Sequence, residues 1–348
     1  MSAALRNPKT LAQKCLFQRM SISTYTSLVI EQVNAIASPK DAKYQIVKGN
    51  LTFNQFILSY PSGAYTGMRT VHRDAIVEFN THVKRITNSV SHMSFGSEPN
   101  NEKVQQAMAS FRDPKQFEAK VLPLLKKGLE TYYDQVDTTT HSSHPFEAKI
   151  SIMVTYSLEK EIPLFAAHFA QLPSIPSGKR VRVEIEKKER KAPEVKDSQW
   201  VRDRSQLEKN KAKDVNEVIL MDDKDQLYEG MASNFLAVKL VDDKPVVMCA
   251  SLDHILLGSI LKIVISICEK HNIKLEWSFP KFQDAVDGKW IGCFITSNYL
   301  YCVLELLLPI ETIYYHDESI EFKESAPIIE FLRSEVSKEI YNSASKIL

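Results

Sequence analysis

The stretch Val195–Val238, VKDSQWVRDRSQLEKNKAKDVNEVILMDDKDQLYEGMASNFLAV, is where the reading of this chain begins. It opens with Lys196 and runs through charges of both signs to Lys213. Asn216–Asp222 then reads as a strand, Asp222–Asp225 as a polar hairpin-type connection, and Phe235–Leu240 as a second strand. Between the strands stand Glu229-Gly230 and Ser233-Asn234. Each feature is ordinary when taken alone. Lysines are common on surfaces, and Glu229 has the residue type of a turn carboxylate. The dense charge over Lys187–Lys213 reads as a solvated face or helix.

Helices and strands alternate outward from this stretch in both directions. Towards the N-terminus, Tyr44–Val47, Phe53–Leu58, Ala64–Val71, Ala148–Tyr156 and Val181–Ile185 read as strands, and Pro163–Phe169 is a short apolar stretch. Ile76–Val90, Val104–Phe117 and Phe117–Tyr132 place apolar residues at near-helical spacing, and Asp137–His144 reads as a polar loop. Towards the C-terminus, Gly258 opens a helix through Glu269, Trp290–Ser297 and Ile320–Phe322 read as strands, and Ala326–Ser343 is an amphipathic helix. This alternation predicts a mixed α/β fold. Gln171–Gly178, with Pro173, Pro176 and Gly178, is the best linker. It divides the chain into an N-terminal extension over 1–40, a small domain over 41–172 and a larger domain over 173–348.

Composition removes several function classes. Lys+Arg is 44 and Asp+Glu is 43, a net charge of +1, which excludes a bulk electrostatic binder of nucleic acid. Glycine is scarce, ten of 348 residues, and none of the ten forms a dinucleotide or Walker A loop. The longest apolar run, near Ile255–Ile267, is broken by Gly258 and Lys262, short of the ~20 residues that span a bilayer, so no membrane partner is expected. Five cysteines without a CxxC suggest neither a zinc ribbon nor a disulfide framework, and point to a reducing compartment. His141 and His144 lie in a polar Ser/Thr run and read as loop, so no metal is expected. Residues 1–30 hold Arg6, Lys9, Lys14 and Arg19 and no acid; Glu31 is the first carboxylate. Such a start reads as a mitochondrial-type targeting segment or as an ordinary tail, leaving a mitochondrial or a cytoplasmic protein.

Taken together, Lys196, Glu217, Glu229 and Ser233-Asn234 resemble, in order and spacing, the class IV family of pyridoxal-phosphate enzymes. That family holds the branched-chain aminotransferases, the D-amino-acid aminotransferases and aminodeoxychorismate lyase. The run WVRDRSQLEK with Trp200 is similar to the branched-chain-aminotransferase-like subgroup known from plants. Three flanking segments agree. Gly63-Ala-Tyr65-Thr66 with Arg69, followed by His82-Val-Lys-Arg85, resembles the family's early strand and helix. Leu257-Gly258-Ser259-Ile260 resembles its GIT turn, and Phe294-Ile295-Thr296-Ser297-Asn298 its late strand and phosphate-side turn. The resemblance implies a fold-type IV enzyme, with a small N-terminal α/β sandwich and a larger C-terminal α/β pseudo-barrel. It also implies pyridoxal 5'-phosphate as cofactor, an amino acid and a 2-oxo acid as substrates, and a homodimer.

The same resemblance assigns roles that the chemistry requires. Lys196 would be the Schiff-base lysine, presenting a neutral amine to an aldehyde and then shuttling a proton. Glu229 would face the pyridine nitrogen and keep it protonated, so that the ring accepts electrons. Arg85, the backbone N–H groups of Ser259 and Ile260, and the amide of Asn298 would take the phosphate. Tyr65 would lie beside the cofactor, with Arg69 and Thr66 on the substrate side. Departures accompany the match. The family's threonine in the GIT turn is Ile260 and the arginine after it is Leu261, while its late threonine matches Asn298 or Tyr299. The Arg-Gly expected after Ile150–Tyr156 is absent, so the substrate carboxylate needs another cation, with Arg69 the candidate. Transamination is the first reading. An aminodeoxychorismate-lyase-type elimination and a degenerate relative kept for binding or structure stand as alternatives, and retention of both Lys196 and Glu229 speaks against the last.

Overall fold

Two sheets organise the protein. The structure, a computed structural model, describes residues 25–96, 101–140, 146–172, 178–190, 192–297 and 306–348. The first sheet is built from β1 (Ser27–Gln32), β2 (Tyr44–Gly49), β3 (Gly63–Val71), β4 (Ala75–Val77), β5 (Ala148–Ser157), β6 (Ile162–Gln171) and β16 (Ala344–Lys346), in the order β16-β4-β3-β5-β6-β1-β2. Side chains alternate between its faces. Leu28, Ala64, Met68, Ile152 and Phe165 meet helices α2 (Phe79–Ser91), α3 (Glu102–Arg112) and α4 (Pro114–Thr140) in one core. Val29, Tyr65, Met153 and Ala166 face the other way, against helix α1 (Phe53–Leu58) and Val201 of the larger domain.

The second sheet holds β7 (Val181–Lys187), β8 (Glu217–Met221), β9 (Leu227–Gly230), β10 (Asn234–Val241), β11 (Lys244–Cys249), β12 (Lys274–Trp277), β13 (Trp290–Thr296), β14 (Leu307–Tyr315) and β15 (Glu318–Glu321). Because β9 pairs with both β8 and β10, the path β10-β13-β14-β7-β8-β9 closes on itself. Phe235, Ile219, Val183, Cys293 and Ile295 fill its interior. Leu236, Val238, Val247 and Phe294 point outward and pack under helices α7 (Ser259–Lys270) and α9 (Pro327–Asn342). Three shorter helices complete this half: α5 (Gln199–Asp203), α6 (Ser205–Asn210) and α8 (Phe282–Val286). The mixed α/β class expected from the sequence is present, and so is the closed barrel-like sheet.

Four local readings change. Phe53–Leu58 is a helix and not a strand: Thr52 accepts from the Gln55 backbone while the Gln55 side chain accepts from the Thr52 N–H, a reciprocal cap that a short apolar run does not reveal. Asp137–Thr140 is the last turn of α4 and not loop. The small domain begins before residue 41, since β1 lies between β6 and β2. It also takes back the end of the chain, since β16 pairs with β4. The basic segment over residues 1–24, most of the Gln171–Gly178 linker, and His141 and His144 lie outside the described residues.

The two sheets meet through backbone pairing. Ala64 and Asp197 form an antiparallel bridge, the Tyr65 N–H donates to the Lys196 carbonyl at 3.0 Å, and the Ser198 N–H donates to the Gly63 carbonyl at 2.8 Å. Gly63 has no room for a side chain there, because an added Cβ would stand 2.4 Å from Thr155 Cβ and 2.5 Å from the Val154 carbonyl oxygen. Both neighbours belong to the adjacent strand and cannot swing away. Gly63→Ala is therefore expected to cost about 1–3 kcal/mol, read as a lower urea midpoint. An unchanged or higher midpoint would contradict this packing.

Candidate active site

A β-bulge delivers the central carboxylate. Ile219 pairs with Gly230 and Met221 with Leu227, so Tyr228 and Glu229 both stand opposite the single residue Leu220. Leu227 points into the barrel, and the extra residue turns Glu229 out of it. Glu229 thereby joins Asn234, its partner on β10, and Thr296, the partner of Asn234 on β13, in one row across three strands. Two strand spacings, about 10 Å, separate the ends of the row.

The first turn of α7 lies over this row. The Leu256 N–H donates to Glu229 Oε2 at 3.0 Å, and Asn234 Nδ2 donates to the Leu256 carbonyl at 2.7 Å. The peptide that feeds α7 is thus held from both sides. Gly258 follows, where an added Cβ would stand 2.3 Å from Asn234 Oδ1. Gly258, Ser259 and Ile260 then line a cleft together with Glu229, Asn234 and Thr296 of the large domain, Lys196, and Arg85 and Gly67 of the small one. The cleft encloses about 500 Å³ of empty space, counting its mouth.

Lys196 enters on the bridging segment, its N–H donating to Ser89 Oγ at 2.9 Å. Its Nζ stands 5.1 Å from the centre of the Tyr65 ring. Burial of the ammonium holds its pKa well below the ordinary lysine range; Arg85, Arg190 and Arg204 push the same way, and Glu229 opposes them. Arg85 is anchored at one end. Its Nη2 donates to Thr66 Oγ1 at 2.7 Å and lies 2.8 Å from His82 Nδ1, while Thr66 Oγ1 lies 2.9 Å from the same nitrogen. A guanidinium only donates, so His82 Nδ1 accepts, its ring proton sits on Nε2, and the Thr66 hydroxyl also donates to Nδ1. Burial and the neighbouring cations hold His82 neutral, consistent with that tautomer. Arg85 Nε is buried without a hydrogen-bond partner, and burial brings the pKa of the guanidinium down to about 10, so it stays cationic.

Glu229 is paired behind the cleft. Arg190 Nη1 donates to its Oε1 at 3.1 Å, with both side chains almost fully buried, and Arg190 Nη2 donates to the Val195 carbonyl at 2.8 Å. Burial raises the Glu229 pKa against the pull of Arg190. Glu217 has a different task. It accepts from the Ala232 N–H and the Ser233 hydroxyl and so braces the turn 230–233. Trp200 Nε1 and Arg204 Nη1 both donate to the Met231 carbonyl, at 2.8 and 2.5 Å, and fix the turn from the other side.

The structure thus brings Lys196, Arg85, Glu229, Ser259 and Ile260 together, with Tyr65 beside Lys196. Thr66 sits behind Arg85 and acts on it, outside the cleft lining. Arg69 is buried on β3 near Glu147 and Tyr341 and does not line the cleft. Asn298 lies outside the described residues. Arg190 and Thr296 were not foreseen as site residues. Arg190, Lys196, Trp200 and Arg204 come from the run read as a solvated face; the side chains of Arg190, Trp200 and Arg204 donate to Glu229 and to the Val195 and Met231 carbonyls, and Lys196 Nζ lies over the Tyr65 ring. Among the described residues no group of three His, Cys, Asp or Glu side chains is placed to hold a metal. Cys249, Cys268 and Cys293 are buried thiols.

Comparison with known proteins places the chain in a family and supports its fold. The family model described as amino-transferase class IV matches residues 63–302. No curated protein matches the sequence. Among solved structures, a fold IV transaminase from Curtobacterium pusillum superposes with a TM-score of 0.63 at 14% identity, covering 90% of this chain and 99% of its own. A hypothetical aminotransferase from Mycobacterium tuberculosis, solved with pyridoxal phosphate bound, gives 0.60 at 11% identity over 90% and 99%. The branched-chain aminotransferase of Thermoproteus uzoniensis, solved with norvaline, gives 0.58 at 15% identity over 87% and 97%. At these identities the likeness concerns the fold.

The Arg190–Glu229 pair generates a pH-dependent expectation. Arg190→Ala leaves a buried carboxylate uncompensated, which destabilises by about 3–5 kcal/mol at neutral pH. The folded pKa of Glu229 then rises further above its unfolded value, so the folded state binds the proton more tightly. The penalty is full above the folded pKa and is lost progressively as pH falls from it towards the unfolded value. Denaturation midpoints of wild type and variant should converge on acidification. A gap that does not change with pH would contradict the pairing.

Proposed function

This chain belongs to the class IV aminotransferase family, and we propose that its cleft binds pyridoxal 5'-phosphate and moves an amino group between an amino acid and a 2-oxo acid. The observation that carries this reading is that Lys196, Glu229, Arg85 and the first turn of α7 line one cleft. The donor set fits the cofactor. Arg85 Nε and Thr296 Oγ1 are buried polar atoms without partners, and the first amides of α7 point outward from a helix N-terminus, as an anion requires. When bound, pyridoxal phosphate supplies an aldehyde that takes up amino groups and a ring that accepts electrons from the substrate carbon.

The chain's own residues prepare that chemistry. Lys196 must be unprotonated to attack an aldehyde, and its burial beside three arginines shifts its Nζ towards the neutral amine. The same nitrogen is then free to take a proton and return it. Glu229 holds negative charge where a ring nitrogen would need its proton kept. Arg190 and the Leu256 N–H each occupy one of its oxygens, and lone pairs remain for a further donor. Thr66 and His82 orient Arg85 by one nitrogen and leave the rest of the fork for phosphate. The retained lysine and carboxylate argue against a relative kept only for binding, and nothing in the cleft favours elimination over transfer.

The substrate carboxylate needs a cation other than Arg69. A larger cleft shares Met231 and Ala232 with the first and runs between Phe53 and Lys149 of the small domain and Arg204 and Lys211 of the large one. Lys149 stands opposite Arg69 on β5, on the sheet face that carries Tyr65. It is the residue we assign to that carboxylate. The homodimer implied by the resemblance belongs to the same proposal.

The test is cofactor uptake. Wild type equilibrated with pyridoxal phosphate and gel-filtered should retain visible absorbance, and borohydride should fix the label on the peptide containing Lys196. Lys196→Ala should retain none covalently. An amino acid that serves as donor should bleach the band, and a 2-oxo acid should restore it. Wild type that takes up no cofactor at saturation would overturn the proposal.

A further inference from the structure

A phosphate-binding family turn without its threonine poses a chemical problem that β13 answers. Ile260, which stands at that position, packs its side chain into the apolar layer beneath α7 and offers no hydroxyl. Its contribution as a donor is the backbone N–H at the start of the helix. The register of β10 and β13 puts Thr296 directly beside Asn234, on the outward face that carries Leu236 and Phe294. Asn234 on that face reaches the Leu256 carbonyl and abuts Gly258. The Thr296 hydroxyl therefore lies beneath the first turn of α7. Thr296 is 2% exposed, its Oγ1 has no hydrogen-bond partner, and it lines the cleft together with Arg85, Ser259 and Ile260.

A buried hydroxyl left unpaired is unfavourable, and valine would fill the same volume without that penalty. Thr296 thus has a donor in excess of what the fold uses, on the wall of a cleft that a helix N-terminus also lines. We infer that Thr296 Oγ1 is a cofactor-phosphate donor of this chain, supplying from strand β13 the hydroxyl that Ile260 does not carry. The inference rests on the cofactor reading above. It adds that the phosphate is gripped from three elements: Arg85 on α2, the amides of α7, and Thr296 on β13. The hydroxyl donor stands on the strand below the helix and serves the same anion site.

The experiment compares pyridoxal phosphate with pyridoxal, which lacks the phosphate, by equilibrium dialysis against the full chain. Wild type should bind pyridoxal phosphate much more tightly than pyridoxal. Thr296→Val should weaken pyridoxal phosphate about tenfold or more, equivalent to about 1.4 kcal/mol, and leave pyridoxal unchanged. Thr296→Ser keeps the hydroxyl and should bind as wild type does. Adding Ile260→Thr to Thr296→Val should restore affinity by returning a hydroxyl to the same anion. Equal phosphate-ester affinity in wild type and Thr296→Val overturns the inference and leaves the cofactor reading standing. Parallel weakening of both ligands in Thr296→Val also overturns it, since that marks a packing role. Wild type that binds neither ligand overturns the cofactor reading, and the inference with it.

Discussion

Two backbone hydrogen bonds hold the candidate site together. The Tyr65 N–H reaches the Lys196 carbonyl and the Ser198 N–H reaches the Gly63 carbonyl, so the segment carrying the reactive lysine is stitched to a strand of the other domain. That stitch sets Lys196 between the two sheets. One sheet supplies Arg85 through the helix packed on it, and the other supplies Glu229, Asn234 and Thr296 as a row. Neither half alone forms the cleft. A glycine at position 63 and a serine at 198, whose Oγ accepts from the Gly63 N–H at 3.0 Å, are what close approach of the two chains demands.

The electrostatics follow from that placement. Three arginines, one lysine and one carboxylate share a space largely withdrawn from water, where a charge is costly unless paired. Arg190 is paired with Glu229, and Arg204 with Glu208 at 3.0 Å. Arg85 has only neutral partners in Thr66 and His82, so its charge remains available to an anion. Lys196 has no carboxylate within ion-pair reach among the described residues, and the cheapest response is to give up its proton. The cleft is thus arranged for one incoming anion and one electrophile, the two features a phosphorylated aldehyde carries.

Much of this was legible before the fold was known. The order Lys196, Glu217, Glu229, Ser233-Asn234 pointed to the family, and the apolar runs of β3, β5 and β10 read as strands. What was hidden had physical causes. The bulge at Tyr228 and Glu229 changes which face the carboxylate occupies, and strand periodicity alone assigns it wrongly. Arg190 looks like any charge in a mixed run, because sequence does not reveal that its partners lie inside. Arg69 alternates in phase with Tyr65 and Gly67, yet its side chain is buried near Glu147 and Tyr341 and lines neither cleft. Phe53–Leu58 is equally apolar as helix or strand, and only the Thr52–Gln55 cap decides. β16 pairs with distant β4 and β1 is locked between β2 and distant β6, so local pattern carried little of their signal.

The central claim is that the fold holds Lys196 as a neutral amine beside an anion-ready arginine. The most direct measurement is the pH titration of the Lys196 amine in the protein free of cofactor, followed by NMR of carbon-labelled lysine side chains and assigned with a Lys196→Arg variant. The account predicts a resonance that titrates well below the surface lysines. A Lys196 amine that titrates together with them would contradict it.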